Sequence, residues 1–334
     1  MAEAEARKVA RDAINPLRIL IEAAKADDVS LMERALEIAF QPDSRNSVQH
    51  VLDRGLNRAA ARNASHVLNY VLDRGADIAT LDAGNLMATD EEIKPSQEVL
   101  EILIAHGWNI NTRGPRGGSA PLLWQISEYP DLVRWCLDHG AEVDVQDEPA
   151  PVTADGITSR TRRSLPKILG MAVSCGTKES FDMLRARGAP SDALSLHYAV
   201  DRATHSAPKE GSDTNEWYTR DMDMTRHLVE DLKLDVNAVK HQLNTMCTTP
   251  LCIVARGAGT KRDYRELVFY LLDNGADLNL DGGTHSGHHY PNPVDCAKSF
   301  WNENFLQCVE EWNAHRTGCE QQNGLNHWRK KDQA

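Results

Sequence analysis

Hydrophobic positions along the chain recur in short helical stretches that are separated by polar turns. In the segment Val67–Ile78, "VLNYVLDRGADI", the residues Val67, Leu68, Val71 and Leu72 are spaced one, three or four apart, which places them on one face of a helix. Comparable stretches begin at Val99, Leu132, Ser180, His227 and Leu267. The pattern predicts a series of amphipathic helices, each with one buried face.

Five of these six stretches stop at a glycine. The glycines are Gly75, Gly107, Gly140, Gly188 and Gly275. A glycine just past the last periodic residue ends a helix well, because it can adopt the left-handed conformation. The glycines are 32, 33, 48 and 87 residues apart, and the last interval spans two stretches because the copy at His227 lacks its glycine. This series predicts a repeat with a period near 33 residues and insertions.

A shorter helical pattern precedes each long helix and begins at a turn. Pro121 and Pro250 start two of these short helices, at the helical position where a missing amide hydrogen is tolerated. In an earlier copy, Leu56, Ala59 and Ala60 share one face and are small enough to let two helices approach closely. The predicted unit is a turn, a short helix, a tight turn, a longer helix, a glycine and an extended linker.

This unit resembles the ankyrin repeat. The start of the family's motif is matched by Thr249, Pro250 and Leu251 in one copy, and by Leu196, His197 and Ala199 in another; the register is ungapped over 54–77 and 167–188. The resemblance implies an all-α solenoid of about eight stacked helix-turn-helix units with hairpin fingers. The irregular copies are similar to those of fungal ankyrin proteins.

The repeat also predicts a domain organisation. Residues 1–47 form an N-terminal helical cap and a first degenerate repeat, residues 48–314 form the repeat array, and residues 315–334 form a disordered tail. Two long loop insertions are expected near 145–166 and 201–221. Insertions in repeat arrays map to loops that are often on the binding face.

Composition restricts the class of protein. The chain has 334 residues and a net charge of −12, which argues against general nucleic-acid binding because phosphate recognition needs a basic face. Its start lacks the apolar core of a signal peptide, and no window is apolar enough to span a membrane. The seven cysteines include no C-x-x-C pair, so reduced thiols are expected. We predict a monomer in the cytoplasm, with the nucleus as an alternative.

The resemblance implies a non-catalytic scaffold or adaptor that binds another protein through its concave face and fingers, without a cofactor. The alternative is a small-molecule-binding protein or an unusual enzyme, for example in fungal specialised metabolism, with a pocket formed by the groove and the insertions. The glycine-rich Gly114–Pro121 lacks the lysine of a phosphate loop. His197 could pair with Cys252 or Ser195, but it occupies the family's structural histidine position.

Candidate partner-binding residues lie in the predicted insertions, linkers and fingers. They are Trp108, Arg113, Arg116, Arg160, Arg162, Arg163, Trp217, Tyr218, Lys240, His241, His285, His288, His289 and Tyr290. Exposed tryptophans are effective binding anchors. The basic run from Arg160 to Arg163 could bind phosphate or act as a nuclear signal.

Three of these candidates are histidines within five residues, in the segment "THSGHHY". They fall in a linker longer than that of the family, and therefore at the tip of an enlarged finger. Flanking glycines and the lack of a nearby cysteine argue against a zinc site, so we predict no metal. Clustered histidines could instead make partner binding depend on pH.

Overall fold

The structure is a computed structural model that describes residues 15–87, 94–114, 119–145, 165–209, 211–213, 215–239, 249–257, 262–281, 283–285 and 288–316. The chain divides into two compact units. Unit 1 comprises Met1–Ile168 with Ala186–Ala189, and unit 2 comprises Leu169–Arg185 with Pro190–Ala334. No helix in the described ranges is both long enough and apolar enough to cross a membrane.

Unit 1 is built from helix pairs. Its helices are α1 (Pro16–Ala26), α2 (Val29–Ala39), α3 (Val48–Ala61), α4 (Ser65–Asp73), α5 (Ala83–Met87), α6 (Gln97–Ala105), α7 (Leu122–Gln125) and α8 (Pro130–Asp138), with a 3-10 turn at Ile78–Thr80. The first helices of successive pairs, α1, α3, α5 and α7, pack side by side, and α2, α4 and α6 form a second row. The core lies between the two rows and includes Leu56, Ala59, Val67 and Leu68.

Unit 2 repeats this arrangement with additions. Its helices are α9 (Ile168–Cys175), α10 (Lys178–Ala186), α11 (Ser195–Ser206), α12 (Glu216–Arg226), α13 (Pro250–Arg256), α14 (Arg265–Asp273), α15 (Pro293–Ser299) and α16 (303–316), with a π-helical turn at His227–Asp231. The strands β1 (Gly283–His285) and β2 (His288–Tyr290) form an antiparallel hairpin. The first helices α11, α13 and α15 again pack in a row.

The helix start predicted at Pro250 is confirmed by its cap, and α15 begins in the same way, whereas Pro121 lies just before α7 rather than in its first turn. The Thr249 hydroxyl accepts the amide hydrogen of Cys252 at 3.3 Å, and the Asn292 side chain accepts that of Asp295 at 2.8 Å. Each cap precedes a proline, Pro250 or Pro293, at the first helical turn. A polar cap followed by proline satisfies the free amide groups without losing a hydrogen bond.

The predicted glycine turns are also confirmed. Gly75, Gly107, Gly140, Gly188 and Gly275 have φ between 82° and 90°, in the left-handed region that favours glycine. The residue after the glycine then donates back into the helix, as when the Ala76 amide donates to the Val71 carbonyl at 3.0 Å. The copy that lacks a glycine places Lys233 in the left-handed conformation, at φ 56°.

Asparagine side chains join neighbouring repeats at these turns. In unit 1, Asn111 Nδ2 donates to the Gly140 carbonyl at 3.0 Å, and Asn111 Oδ1 accepts the Glu142 amide hydrogen at 2.9 Å. In unit 2, Asn237 bonds in the same way to the carbonyl of Gly275 and to the amide two residues later, both at 2.9 Å. We call such a side chain an amide clamp. One clamp satisfies a carbonyl and an amide that the glycine turn would otherwise leave to solvent.

At the first glycine turn two residues share the role of one clamp. Gln49 Nε2 donates to the Gly75 carbonyl at 3.0 Å, and Asp53 Oδ1 accepts the Asp77 amide hydrogen at 2.8 Å. Gln49 also donates to Asp53 at 2.8 Å. Both residues belong to α3.

The structure corrects the prediction of a long loop near 201–221, because only the middle of this segment is a loop. Residues 201–206 complete α11, and residues 216–221 belong to α12. Of the insertion expected near 145–166, only Val145, Leu165 and Pro166 are among the described residues. Most of the predicted tail, 317–334, also lies outside them. The division into cap, array and tail remains a prediction.

We expect the substitution Asn237→Ala to destabilise unit 2 by about 2 kcal/mol, because it removes two hydrogen bonds of about 1 kcal/mol each. Urea unfolding followed by circular dichroism measures this loss. Asn274→Ala is the matched control, since Asn274 is exposed and bonds only within its own helix, to Tyr270. Equal losses in the two variants would contradict the clamp role.

Candidate interaction surface

The structure separates the predicted partner residues into exposed and buried groups. Trp217 has 58% of its surface exposed, and the side chain of His289 is 56% exposed. Trp108, Tyr218 and Tyr290 retain only 6%, 1% and 7% of their exposure. The structure corrects the prediction that Trp108, Tyr218 and Tyr290 contact a partner, because a side chain buried in its own fold cannot anchor a partner without unfolding.

Each of the three buried aromatic residues has a physical reason to face inward. Trp108 follows a glycine turn, at a position where other copies bury Ala76 or Ala276. Tyr218 lies one helical turn before the buried Met222 in α12. Tyr290 packs against Phe300, with 5.7 Å between the ring centroids.

The remaining candidates have mixed placements. Arg113 is half-buried. The other arginine, lysine and histidine candidates outside the hairpin lie outside the described residues: Arg116, Arg160, Arg162, Arg163, Lys240 and His241. Their partner contacts remain predictions.

The histidine finger is a hairpin. Backbone pairing in β1 and β2 sets His285 opposite His288, and Thr284 opposite His289. The Nε2 atom of His289 lies 3.6 Å from an Asp281 carboxylate oxygen. Among the side chains described, no group of three or more histidine, cysteine, aspartate or glutamate residues is placed to hold a metal ion.

Helix α12 presents Trp217 to solvent. The side chain of Asn215 caps the helix by accepting the Tyr218 amide hydrogen at 2.8 Å. This cap fixes the register, so that Tyr218 and Met222 are buried while Trp217 and Arg220, three residues apart, share the outer face. The Arg220 guanidinium lies over the Trp217 ring, 4.3 Å from its centroid. A cation in this position holds an exposed indole in one orientation.

A cavity of about 430 Å³ adjoins Trp217 in unit 2. We call it the Trp217 pocket. Its lining residues are Arg202, His205, Ser206, Asn215, Trp217, Arg220, Asp221 and Arg262. Three guanidinium groups and one carboxylate therefore share a space within the size range of ligand pockets, roughly 300–1,000 Å³.

A buried ion pair builds the wall of the Trp217 pocket. Asp221 is 3% exposed, and its Oδ1 atom lies 2.8 Å from Arg202 Nε. Arg202 Nη1 also donates to the carbonyls of Val173 at 2.8 Å and Gly176 at 3.0 Å. Because these contacts neutralise Asp221 and orient Arg202, the pair ties α11 to α9 and α12. Removing one partner of such a pair typically costs about 3–5 kcal/mol, since it leaves a buried charge.

Arg262 reaches the Trp217 pocket from a different part of the chain. Its backbone pairs with Lys209 in an isolated bridge, and Asn304 donates to its carbonyl at 2.6 Å. Its Nη1 donates to the Ala207 carbonyl. No ion pair joins Arg262 to any carboxylate of the described ranges. Its charge is therefore held in place at the pocket without being neutralised.

A second cavity, of about 440 Å³, shares Asn215 and Arg220 with the Trp217 pocket. It is lined by Lys178, Asn215, Glu216, Thr219, Arg220 and Asp223. Its two cations and two carboxylates balance. The Trp217 pocket is therefore the more positive of the two cavities.

His227 fastens the π-helical turn beneath this region to α10. Its Nε2 lies 2.8 Å from an Asp182 oxygen and its Nδ1 lies 2.7 Å from an Asp231 oxygen. The two nitrogens of the imidazole ring thus link Asp182 of α10 to Asp231 of the π-helical turn. The hydrogen bond from His227 lowers the pKa of Asp231 below its ordinary value, and Lys178, 3.8 Å away, acts in the same direction.

The residues considered as a catalytic nucleophile and its base are all buried. His197, Ser195 and Cys252 are 3%, 3% and 0% exposed, so none of them faces a solvent-filled cleft. Sequence reasoning had passed over two strongly exposed aromatic residues, Phe40 at 71% and Trp301 at 81%. Neither lines the two cavities beside α12.

Comparisons with known proteins find similar solved structures but no family. No family model matches the chain, and no curated protein matches it. The crystal structure of the human ASB11 ankyrin repeat domain is similar over 86% of this chain and 96% of that chain, with 17% sequence identity and a TM-score of 0.38. At such a score, the fold assignment rests on the helix pairs and glycine turns described above. The fold is all-α and ankyrin-like.

We expect Asp231→Asn to destabilise unit 2 at neutral pH, and the difference from wild type to shrink under acid. The folded pKa of Asp231 is lowered, so its contribution is complete above its ordinary value of 3.8 and is lost as the pH falls through the folded pKa. Urea unfolding at several pH values between about 3 and 7 measures the difference. Asp131→Asn, at an exposed carboxyl in unit 1, controls for the loss of one charge. A difference that grows under acid would contradict the contact with His227.

Proposed function

We propose that the chain is a non-catalytic scaffold or adaptor that binds another protein, and that the Trp217 pocket is part of its contact surface. Ankyrin-like repeat folds generally serve protein–protein interaction, which supports the class of function. The observation that supports the location is the exposure of Trp217, held beneath Arg220 at the edge of a cavity.

An exposed tryptophan of this kind is a strong anchor for a partner. Tryptophan and arginine are enriched among the residues that dominate binding energies, and they act best where they are held in place before binding. The stacking of Arg220 on Trp217 and the cap at Asn215 supply that order. Little conformational freedom is then lost when the partner arrives.

The alternative function, a small-molecule binder or unusual enzyme, is not favoured by a specific observation. Each of the two cavities beside α12 is bordered by four charged side chains, whereas small-molecule sites usually have only a few polar groups. The proposed location is the cytoplasm, with the nucleus as the alternative. The proposed partner is another protein, and we retain the monomer as the proposed state of the chain.

We expect Trp217→Ala to reduce partner binding at least ten-fold while leaving folding intact, because hot-spot truncations remove about 2 kcal/mol or more. Quantitative co-purification of the tagged full chain from its native cells measures the partner. The matched control is Phe40→Ala, which removes another exposed aromatic side chain, in unit 1.

Two results would contradict the proposal. The first is a partner set that is unchanged by Trp217→Ala. The second is an equal loss in the Phe40→Ala control, which would show that the interactions depend on exposed apolar surface in general.

A further inference from the structure

We infer that the Trp217 pocket binds an oxyanion, a carboxylate or a phosphate, carried by the partner protein. This inference rests on the proposed function and names the chemistry of the partner at that site. It is carried by the charge of the pocket, by the way its cations are held, and by the tryptophan beside them.

The Trp217 pocket is positive in a chain that is strongly negative. Its lining has three arginines and one aspartate, which gives 3 − 1 = +2, whereas the whole chain carries −12. A local positive charge of this kind attracts an anion and orients its approach.

Arg262 is the cation best placed to meet the incoming anion. Its Nη1 bonds to a carbonyl, so its charge is not neutralised, and its backbone is tied to Lys209 and Asn304. Asp221, in contrast, lies 2.8 Å from Arg202 Nε and 3.6 Å from Arg220 Nε. The pocket's own carboxylate is thus directed at the other two arginines and leaves Arg262 for a ligand. Guanidinium groups bind carboxylate and phosphate through paired hydrogen bonds.

Trp217 favours an anion on a protein segment over a free ion or a nucleic acid. A small free ion would leave the indole beside the pocket exposed, whereas an acidic residue with an apolar neighbour would use both features. A nucleic acid would have to approach a chain with a net charge of −12, and the Trp217 pocket offers it only three arginines. Phosphate-backbone recognition needs a wider basic face.

The test measures binding of fluorescein-labelled hexapeptides to the full chain by fluorescence anisotropy. The probes are hexaglutamate, hexaglutamine, and a neutral peptide with one central phosphoserine. We expect hexaglutamate, the phosphopeptide or both to bind more tightly than hexaglutamine. We expect Arg262→Gln to weaken that binding roughly ten-fold or more, the loss typical of a charge-assisted hydrogen bond. Binding should also weaken with added salt.

Matched variants separate the pocket from general charge effects. Arg134→Gln removes an exposed arginine of unit 1 and should leave binding unchanged. Arg262→Lys keeps the charge but loses the paired donors, so it should bind between wild type and Arg262→Gln. If Arg262→Gln is not folded by circular dichroism, Arg262→Lys alone is compared with wild type, and its binding should be weaker.

Three outcomes would overturn the inference. These are equal binding of hexaglutamine and the anionic peptides, equal losses in Arg262→Gln and Arg134→Gln, and tighter, Arg262-dependent binding of a single-stranded oligonucleotide. If these outcomes occur while Trp217→Ala still releases the native partner, the oxyanion inference is wrong and the proposed function stands. If the anionic peptides bind as expected but Trp217→Ala leaves binding of the native partner unchanged, the pocket binds oxyanions and the proposed role of this surface in partner binding is wrong.

Discussion

Neighbouring repeats must be joined where each long helix ends, and the rest of the structure depends on those joins. A single helix pair cannot bury its apolar face alone and becomes stable only against its neighbours. The left-handed glycine reverses the chain, as at Gly140 and Gly275. The asparagine clamp then bonds the turn to the preceding linker.

In unit 2 the same scaffold carries a departure that creates a binding surface. Helix α12 buries an aspartate, Asp221, and Arg202 of α11 supplies the opposite charge at 2.8 Å. A buried pair of this kind adds little net stability, since desolvation offsets much of the attraction between the charges. Its effect here is positional. It orients α12 so that Trp217 and Arg220 face solvent beside Arg262.

Much of the fold was predictable because its signals are local. The left-handed glycines and the helix start at Pro250, which Thr249 caps, depend on a few adjacent residues, and the structure confirms them. Helix α12 was missed because Asp221 faces the core, where the pattern requires an apolar residue. The spacing of Tyr218, Asp221, Met222 and Thr225 is helical, and all four are buried. Reading the aspartate as a core position, after the Asn215 cap, would have found the helix.

The candidate site was predictable only in part. Trp217 was chosen for its residue type and is exposed, whereas the same reasoning chose Tyr218, which the helical register turns inward. The arginines of the Trp217 pocket come from three separate segments, at positions 202, 220 and 262. No sequence spacing links them, because their proximity results from the packing of α11 and α12 and from the bridge between Lys209 and Arg262.

The most direct test of the proposed binding surface is photo-crosslinking from position 217 in the full chain inside native cells. A photoreactive phenylalanine analogue replaces Trp217, and the same analogue at Phe40 serves as the comparison. The account predicts that position 217 crosslinks a protein through a segment that contains acidic or phosphorylated residues, and that position 40 does not. Identical products from both positions, or crosslinks at 217 only to segments without such residues, would contradict it.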